Sequence, residues 1–217
     1  MIDAETSPIK RVTRFPSFRY YQPNLIVLGT FLVFVLARYM QWGARREIFT
    51  QIRIEFTLGL FLTVACAMLL LGHPVDFRPA RRIIILIGLF FVLTVVQLPF
   101  AAAGPLASDV FIDRVLKFAM LTLFIMVLVQ SPFSMRAFIA AFLLSLLYIT
   151  QESTRGAISG SMIWENQGVP RLHGSVPIYS HPNSLGGVSM GAIPYVVFLF
   201  PVVRTWLLRI PMLVLAA

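Results

Sequence analysis

The feature that most constrains this chain is its rhythm of long apolar runs broken by short polar links. Six such runs recur along the 217 residues, at about 24–40, 54–71, 83–103, 115–129, 135–150 and 184–203. Crossing the hydrocarbon layer of a bilayer takes roughly 20 helical residues. Runs near that length with few charges predict membrane-spanning helices. Composition points the same way: 58% of residues are hydrophobic, 12% are charged and the mean hydropathy is +0.83. So few charges cannot cover a soluble surface. The expected fold class is all-α, a polytopic transmembrane helix bundle of about six complete spans plus a truncated seventh. That seventh run, Leu207–Ala217, starts at an arginine-marked interface and stops after roughly half a membrane thickness.

Proline and glycine punctuate the runs. Gly72-His73-Pro74 ends the second, Gly104-Pro105 ends the third, and Ser131-Pro132 makes a tight turn before the fifth. The fourth run is short and is expected either to extend back through Phe111 or to tilt with its neighbour. Four regions follow: a basic tail (1–23), the N-terminal transmembrane helices (24–150), a polar loop (151–183) and a final helical region (184–217). The tail carries Lys10, Arg11, Arg14 and Arg19. It reads either as a cytoplasmic leader resting on headgroups or as a disordered tail held inside by its charge. No cleavable signal is evident. The one cysteine, Cys66, lies inside an apolar run. That excludes an internal disulfide or thiolate metal site and fits a small core residue.

Orientation follows from the basic residues. With the N-terminus in the cytoplasm, Arg78, Arg81, Arg82, Arg136, Arg204 and Arg209 join the tail inside, while Arg114, Lys117, Arg155 and Arg171 lie outside. The balance favours this arrangement only slightly. Its discordant piece is the outside cluster Arg38, Arg45, Arg46 and Arg53, which must be interfacial or paired with something acidic. The loop 151–183 then faces outward, into a periplasm if the cell is Gram-negative. The formal net charge of +9 is spread over many links. It suits membrane lipid headgroups or phosphate-bearing substrates. It does not form the single basic face that nucleic acid needs.

Several chemistries are missing. No Asp, Glu, Lys, Arg or His lies near the centre of the first six runs, which argues against a proton relay, an ion-coupled transporter or a membrane haem. There is no phosphate-cradling P-loop. His173 and His181 lack zinc spacing and have no thiol or carboxylate at helical distance, so neither metal nor cofactor is expected.

What remains is the polar stretch Arg171–Gly187. It holds two of the three histidines and ends where an apolar helix should begin. Asn183 or Ser184 is expected to cap that helix. The first-turn amides and the helix dipole favour an anion there. Arg171 could grip a phosphate with its two-pronged guanidinium, and His173 and His181 could donate to it or act as acid or base. Gly186, Gly187 and Gly191 leave one helix face bare for a partner helix or ligand. These parts suit a pyrophosphate site at the outer interface. They suit equally an ordinary loop with a capped, glycine-faced helix. Within the loop, Arg155 and Glu165 read as solvated charges, and Trp164 and Tyr179 as interfacial anchors. Gly156, Gly160 and Gly168 make its first half flexible.

The run Arg171-Leu-His-Gly174, then Pro182-Asn183-Ser-Leu-Gly186 and an apolar helix containing Pro194, resembles the start of the core region in the O-antigen ligase and polymerase superfamily. Ala37-Arg-Tyr-Met-Gln-Trp42 with its basic link is similar to the first loop of the branch associated with exosortase and O-glycosylation systems. The resemblance implies about ten to twelve spans in a complete protein. It implies a bacterial inner-membrane glycosyltransferase of lipopolysaccharide or polysaccharide biosynthesis. A glycan on undecaprenyl pyrophosphate would be moved to lipid A core, another glycan or a protein hydroxyl at the periplasmic face, without a metal. Arg171 matches the arginine of the family's first motif and would hold the pyrophosphate, with His173, His181 and Asn183 beside it. Catalytic residues are expected beyond Ala217, and neither His173 nor His181 takes that role by position. A polysaccharide polymerase, or a non-enzymatic transporter of lipid-linked sugars, are the alternatives. A transporter of that kind should carry an internal repeat, and none is visible.

Overall fold

A computed structural model describes residues 24–72, 77, 80–166, 168–206, 209, 210 and 212. The basic tail, His73-Pro74, Arg78 and most of the expected seventh run lie outside the described residues. The described chain is helical almost throughout, as expected of an all-α bundle. In order it forms α1 (Leu25–Met40), the short α2 (Trp42–Arg45) and α3 (Glu47–Gln51), and α4 (Ile54–Gly72). Next come α5 (Arg81–Gln97), α6 (Gly104–Val110), a π-helical turn (Phe111–Leu116) and α7 (Lys117–Leu128). Last are α8 (Pro132–Ser159), strands β1 (Ile163–Asn166) and β2 (Val169–Leu172), and α9 (Pro182–Leu199).

Local chemistry explains the helix ends. Asn24 caps α1 by accepting from the Ile26 amide at 2.9 Å. Ser131 and Ser134 form a reciprocal capping box at the start of α8, with Pro132 in its first turn. Gly160 closes α8 at φ 74°, a left-handed conformation that glycine adopts without strain.

Among the described residues, three helices are long and apolar enough to cross a membrane: Ile54–Gly72, the run Arg81–Phe100, and Pro132–Ser159. The other expected spans are helical but fall short on one count. α1 is apolar but has 16 residues. The fourth run does extend back through Phe111, through the π turn to Gly104, but that extension carries Asp109, Asp113 and Arg114. α9 is diluted by glycines and polar residues in its first half.

Lipid tails are as apolar as leucine, so helix association in a bilayer rests on close packing and polar pairs rather than on escape from water. The main core follows that logic. Phe31 and Val35 of α1, Leu62 and Cys66 of α4, and Phe124, Val127 and Leu128 of α7 are fully buried together. Phe34 meets Phe124 edge-on at 5.7 Å, and Phe31 stacks on Phe138 of α8 at 5.8 Å. α8 buries mainly small residues, Ser134, Ala141, Ser145, Ser153 and Gly156, which lets it approach closely along α1. α9 docks on α8 through Leu185, Ala192 and Val196. By contrast, α5 buries no residue.

The loop expected over 151–183 is shorter and more ordered than the sequence suggested. α8 runs on to Ser159, so Arg155 and Gly156 are helical, and residues 163–172 form a hairpin. Helix propensity in Gln151-Glu152-Ser153-Thr154-Arg155 carries α8 past the end of its apolar stretch, since polarity alone does not stop a helix.

The ends of α1 and α8 and the starts of α4 and α9 all lie at one end of the bundle, joined by side-chain contacts described below. Single cysteines at Ile48 and Ser175, in a Cys66→Ala background, should therefore react with an impermeant maleimide from the same side of the membrane. A cysteine at Phe133 should react only from the other side. Labelling of Ile48→Cys and Ser175→Cys from opposite sides would refute this arrangement.

Candidate functional site

The loop-bearing end is tied together by two ion pairs. Arg45 of α2 holds Glu152 of α8 with both guanidinium prongs, at 2.8 and 2.5 Å. The same guanidinium lies 4.9 Å over the Tyr148 ring, and its Nε donates to the Met40 carbonyl at 2.6 Å. The hydrogen bond to Glu152 holds Arg45 more firmly charged than a free arginine, against the opposing effect of burial. Arg38 of α1 reaches Glu55 of α4 at 2.8 Å. Two members of the discordant arginine cluster are thus paired with acids, one of the two outcomes left open for them. Glu152 carried no functional weight in the sequence. Its signal was the need of that cluster for an acid, but the partner lies more than a hundred residues away, beyond the reach of any local pattern.

Above this frame sits the hairpin. β1 and β2 pair antiparallel, with Trp164 opposite Arg171 and Glu165 opposite Pro170. Gly168 turns the chain at φ 74°. Directly opposed residues share a hairpin face, so Arg171 stands beside Trp164. The Trp164 ring in turn meets His181 edge-on at 5.0 Å. Arg171, Trp164 and His181 therefore follow one another toward the start of α9, on exposed positions.

The cap of α9 differs from expectation. Helix geometry begins at Pro182, and His181, not Asn183 or Ser184, is the capping residue, with its Nδ1 accepting from the Asn183 amide at 3.2 Å. Proline has no amide hydrogen and its φ is preset for the first helical position, so the cap moves back to the residue before it. The Asn183 side chain stays exposed at the first turn.

The two loop histidines are set to opposite tautomers. A ring nitrogen that accepts an amide leaves the proton of a neutral imidazole on the other nitrogen. His181 thus carries its proton on Nε2, a donor. His173 Nδ1 lies 3.0 Å from the Gly174 carbonyl, which can only accept, so Nδ1 carries the proton and Nε2 is left as an acceptor.

Gly174 has a structural task. It is buried, and its amide donates to the Tyr179 carbonyl at 2.7 Å. A Cβ on residue 174 would stand 2.6 Å from Tyr179 Cβ. Tyr179 is itself buried, and its hydroxyl donates to the Tyr39 carbonyl at the end of α1, 3.1 Å away. Tyr179 is thus a bridge from loop to bundle rather than the interfacial anchor expected for it. Burial pushes its hydroxyl up to about 12, so it stays a donor across physiological pH. Gly186, Gly187 and Gly191 face open space, with nothing described within 4 Å of a Cβ there. Among the described residues, nothing fills the bare face of α9.

Compared with known proteins, the chain matches no family model, no curated protein and no solved structure.

Two measurements test this frame. In denaturant unfolding in micelles, a double-mutant cycle of Arg45→Ala and Glu152→Gln should return a coupling of about 1–3 kcal/mol, between that of an exposed pair and a buried one. Additive effects would mean that the pair contributes nothing. Gly174→Ala should destabilise by about 1–3 kcal/mol through overpacking against Tyr179. Adding Tyr179→Gly, which removes the clashing Cβ, should relieve part of that penalty, and an equal penalty in both backgrounds would disprove the clash.

Proposed function

We propose that this protein is a membrane glycosyltransferase of the O-antigen ligase type. It would sit in a bacterial inner membrane with its N-terminus in the cytoplasm, and would take a glycan from undecaprenyl pyrophosphate at the periplasmic face. In such a transfer the acceptor hydroxyl oxygen attacks the anomeric carbon. The bond from that carbon to the phosphate oxygen breaks, the pyrophosphate leaves with the electron pair, and the acceptor's hydroxyl proton passes to water. The leaving group gains negative charge, so donors aimed at it lower the barrier.

The observation that carries this reading is the run Arg171, Trp164, His181 along one side of the hairpin toward the α9 start. Arg171 supplies a planar, permanently charged fork for phosphate oxygens. The Nε2–H of His181 and the first-turn amides of α9 add neutral donors nearby. His173 is held by its Nδ1 against the Gly174 carbonyl, with Nε2 unbonded among the described residues. The open glycine face of α9 leaves room beside these groups for an isoprenoid chain. Together they supply the side of the reaction that receives the leaving group.

Replacing Arg171 by alanine in the full chain, in its native membrane, should lower glycan transfer by about tenfold to a hundredfold, equivalent to roughly 1.4–2.7 kcal/mol of leaving-group stabilisation. Arg171→Lys should recover part of it, because the charge returns without the two-pronged geometry. Undiminished transfer by Arg171→Ala would rule out the pyrophosphate role.

A further inference from the structure

A separate cleft opens on the other flank of α1. It lies between the end of α1, the α2–α3 link, the first turns of α4 and the π turn leading into α7, with a volume of about 560 Å³. Its walls are graded. Leu60 and Met120, one to two turns further along α4 and α7, line it with apolar side chains, and Arg38, Arg53 and Lys117 stand with Glu55 among the groups around it. Three cations against one carboxylate leave the lining net positive. Arg38 and Glu55 satisfy each other, and Lys117 is paired with Asp113 only at an exposed position. No described residue pairs with Arg53.

Two local departures from regular backbone shape this cleft. Arg53 sits at φ 45°, a left-handed conformation that a non-glycine residue rarely adopts. It is held there because its amide donates to the Thr50 carbonyl at 3.1 Å while its own carbonyl accepts from Thr57 at 3.0 Å. The π turn Phe111–Leu116 widens the helix on the facing wall, where Ile112, Leu116 and the adjoining Lys117 line the cleft. Non-regular turns of both kinds concentrate at functional sites.

We propose that this cleft holds one anionic glycerophospholipid from the surrounding leaflet, its phosphate between Arg53 and Lys117 and an acyl chain against Leu60 and Met120. Charge complementarity carries the choice. Cations beside the helix ends and apolar walls further in reproduce the depth profile of a lipid, headgroup at the interface and chain below. The bilayer supplies such a molecule at far higher concentration than any soluble anion. The site is independent of Arg171 and of the glycosyltransferase reading.

Native mass spectrometry of the purified full chain tests it, with phosphatidylglycerol and phosphatidylcholine of identical chains added in parallel. One phosphatidylglycerol should be retained in preference to phosphatidylcholine. Arg53→Gln with Lys117→Gln should weaken retention roughly tenfold or more, at about 1 kcal/mol per interfacial cation. Arg53→Gln alone should give an intermediate loss. Arg46→Gln, an exposed cation outside the cleft, should leave retention unchanged. Equal retention of the two lipids, or an equal loss in Arg46→Gln, would overturn the proposal. So would displacement by glycerol phosphate, which marks a simple anion site, or by equimolar undecaprenyl pyrophosphate, which marks a substrate groove.

Discussion

The two-pronged grip of Arg45 on Glu152 is the contact on which the loop-bearing end depends. An arginine at a membrane boundary has few ways to lower its energy: reach water, reach a headgroup or find an acid. Here the acid comes from a helix distant in sequence, so the pairing also fixes how the end of α8 meets the link after α1. The Tyr148 ring beneath the guanidinium and the Met40 carbonyl beside it leave Arg45 little freedom to swing away. The hairpin begins at Ile163, after α8 has run about two more turns past Glu152 to Ser159.

A second tie completes the frame. Tyr179 binds the loop to the last turn of α1, and Gly174 makes room for it. The glycine of Arg171-Leu-His-Gly174 thus works through absence, because only a residue without a side chain lets the loop fold back on the tyrosine. The exposed groups of the motif, Arg171 above all, are displayed by a scaffold whose buried members make the tertiary contacts. In the bundle below, aromatic edges and small residues take the part that water exclusion plays in soluble cores.

Much of this architecture was legible in the sequence, because the bilayer imposes a length and a polarity that leave marks in any window of twenty residues. α1, α4, α5, α7, α8 and α9 overlap the six apolar runs, while the short α2, α3 and α6 form in the links between them. What escaped notice was of two kinds. Local conformations that compete closely were misplaced: Gln151–Ser159 continues as helix despite its polarity, and Pro182 shifts the cap to His181. Long-range pairings such as Arg45–Glu152 and Tyr179–Tyr39 leave no periodic trace, since each depends on where separate helices come to lie. Arg171, His173 and Asn183 remain exposed or half-exposed, while His181 serves the helix as well as the surface.

The π turn at Phe111–Leu116 carries a consequence for how the protein tolerates change. Such a turn accommodates one residue more than a regular α-helix over the same length, so the segments before and after it are out of phase by roughly 100°. Gly104–Val110 and Lys117–Leu128 are consequently joined by a wide turn that takes up one residue beyond the regular repeat. Loss of one residue inside Phe111–Leu116 would let a regular α-helix cover the same length, so the segments on either side could keep their places. Loss of one residue from the regular turns of Lys117–Leu128 meets no such slack, and would rotate the preceding segment about its axis and turn Asp109 toward a different neighbour.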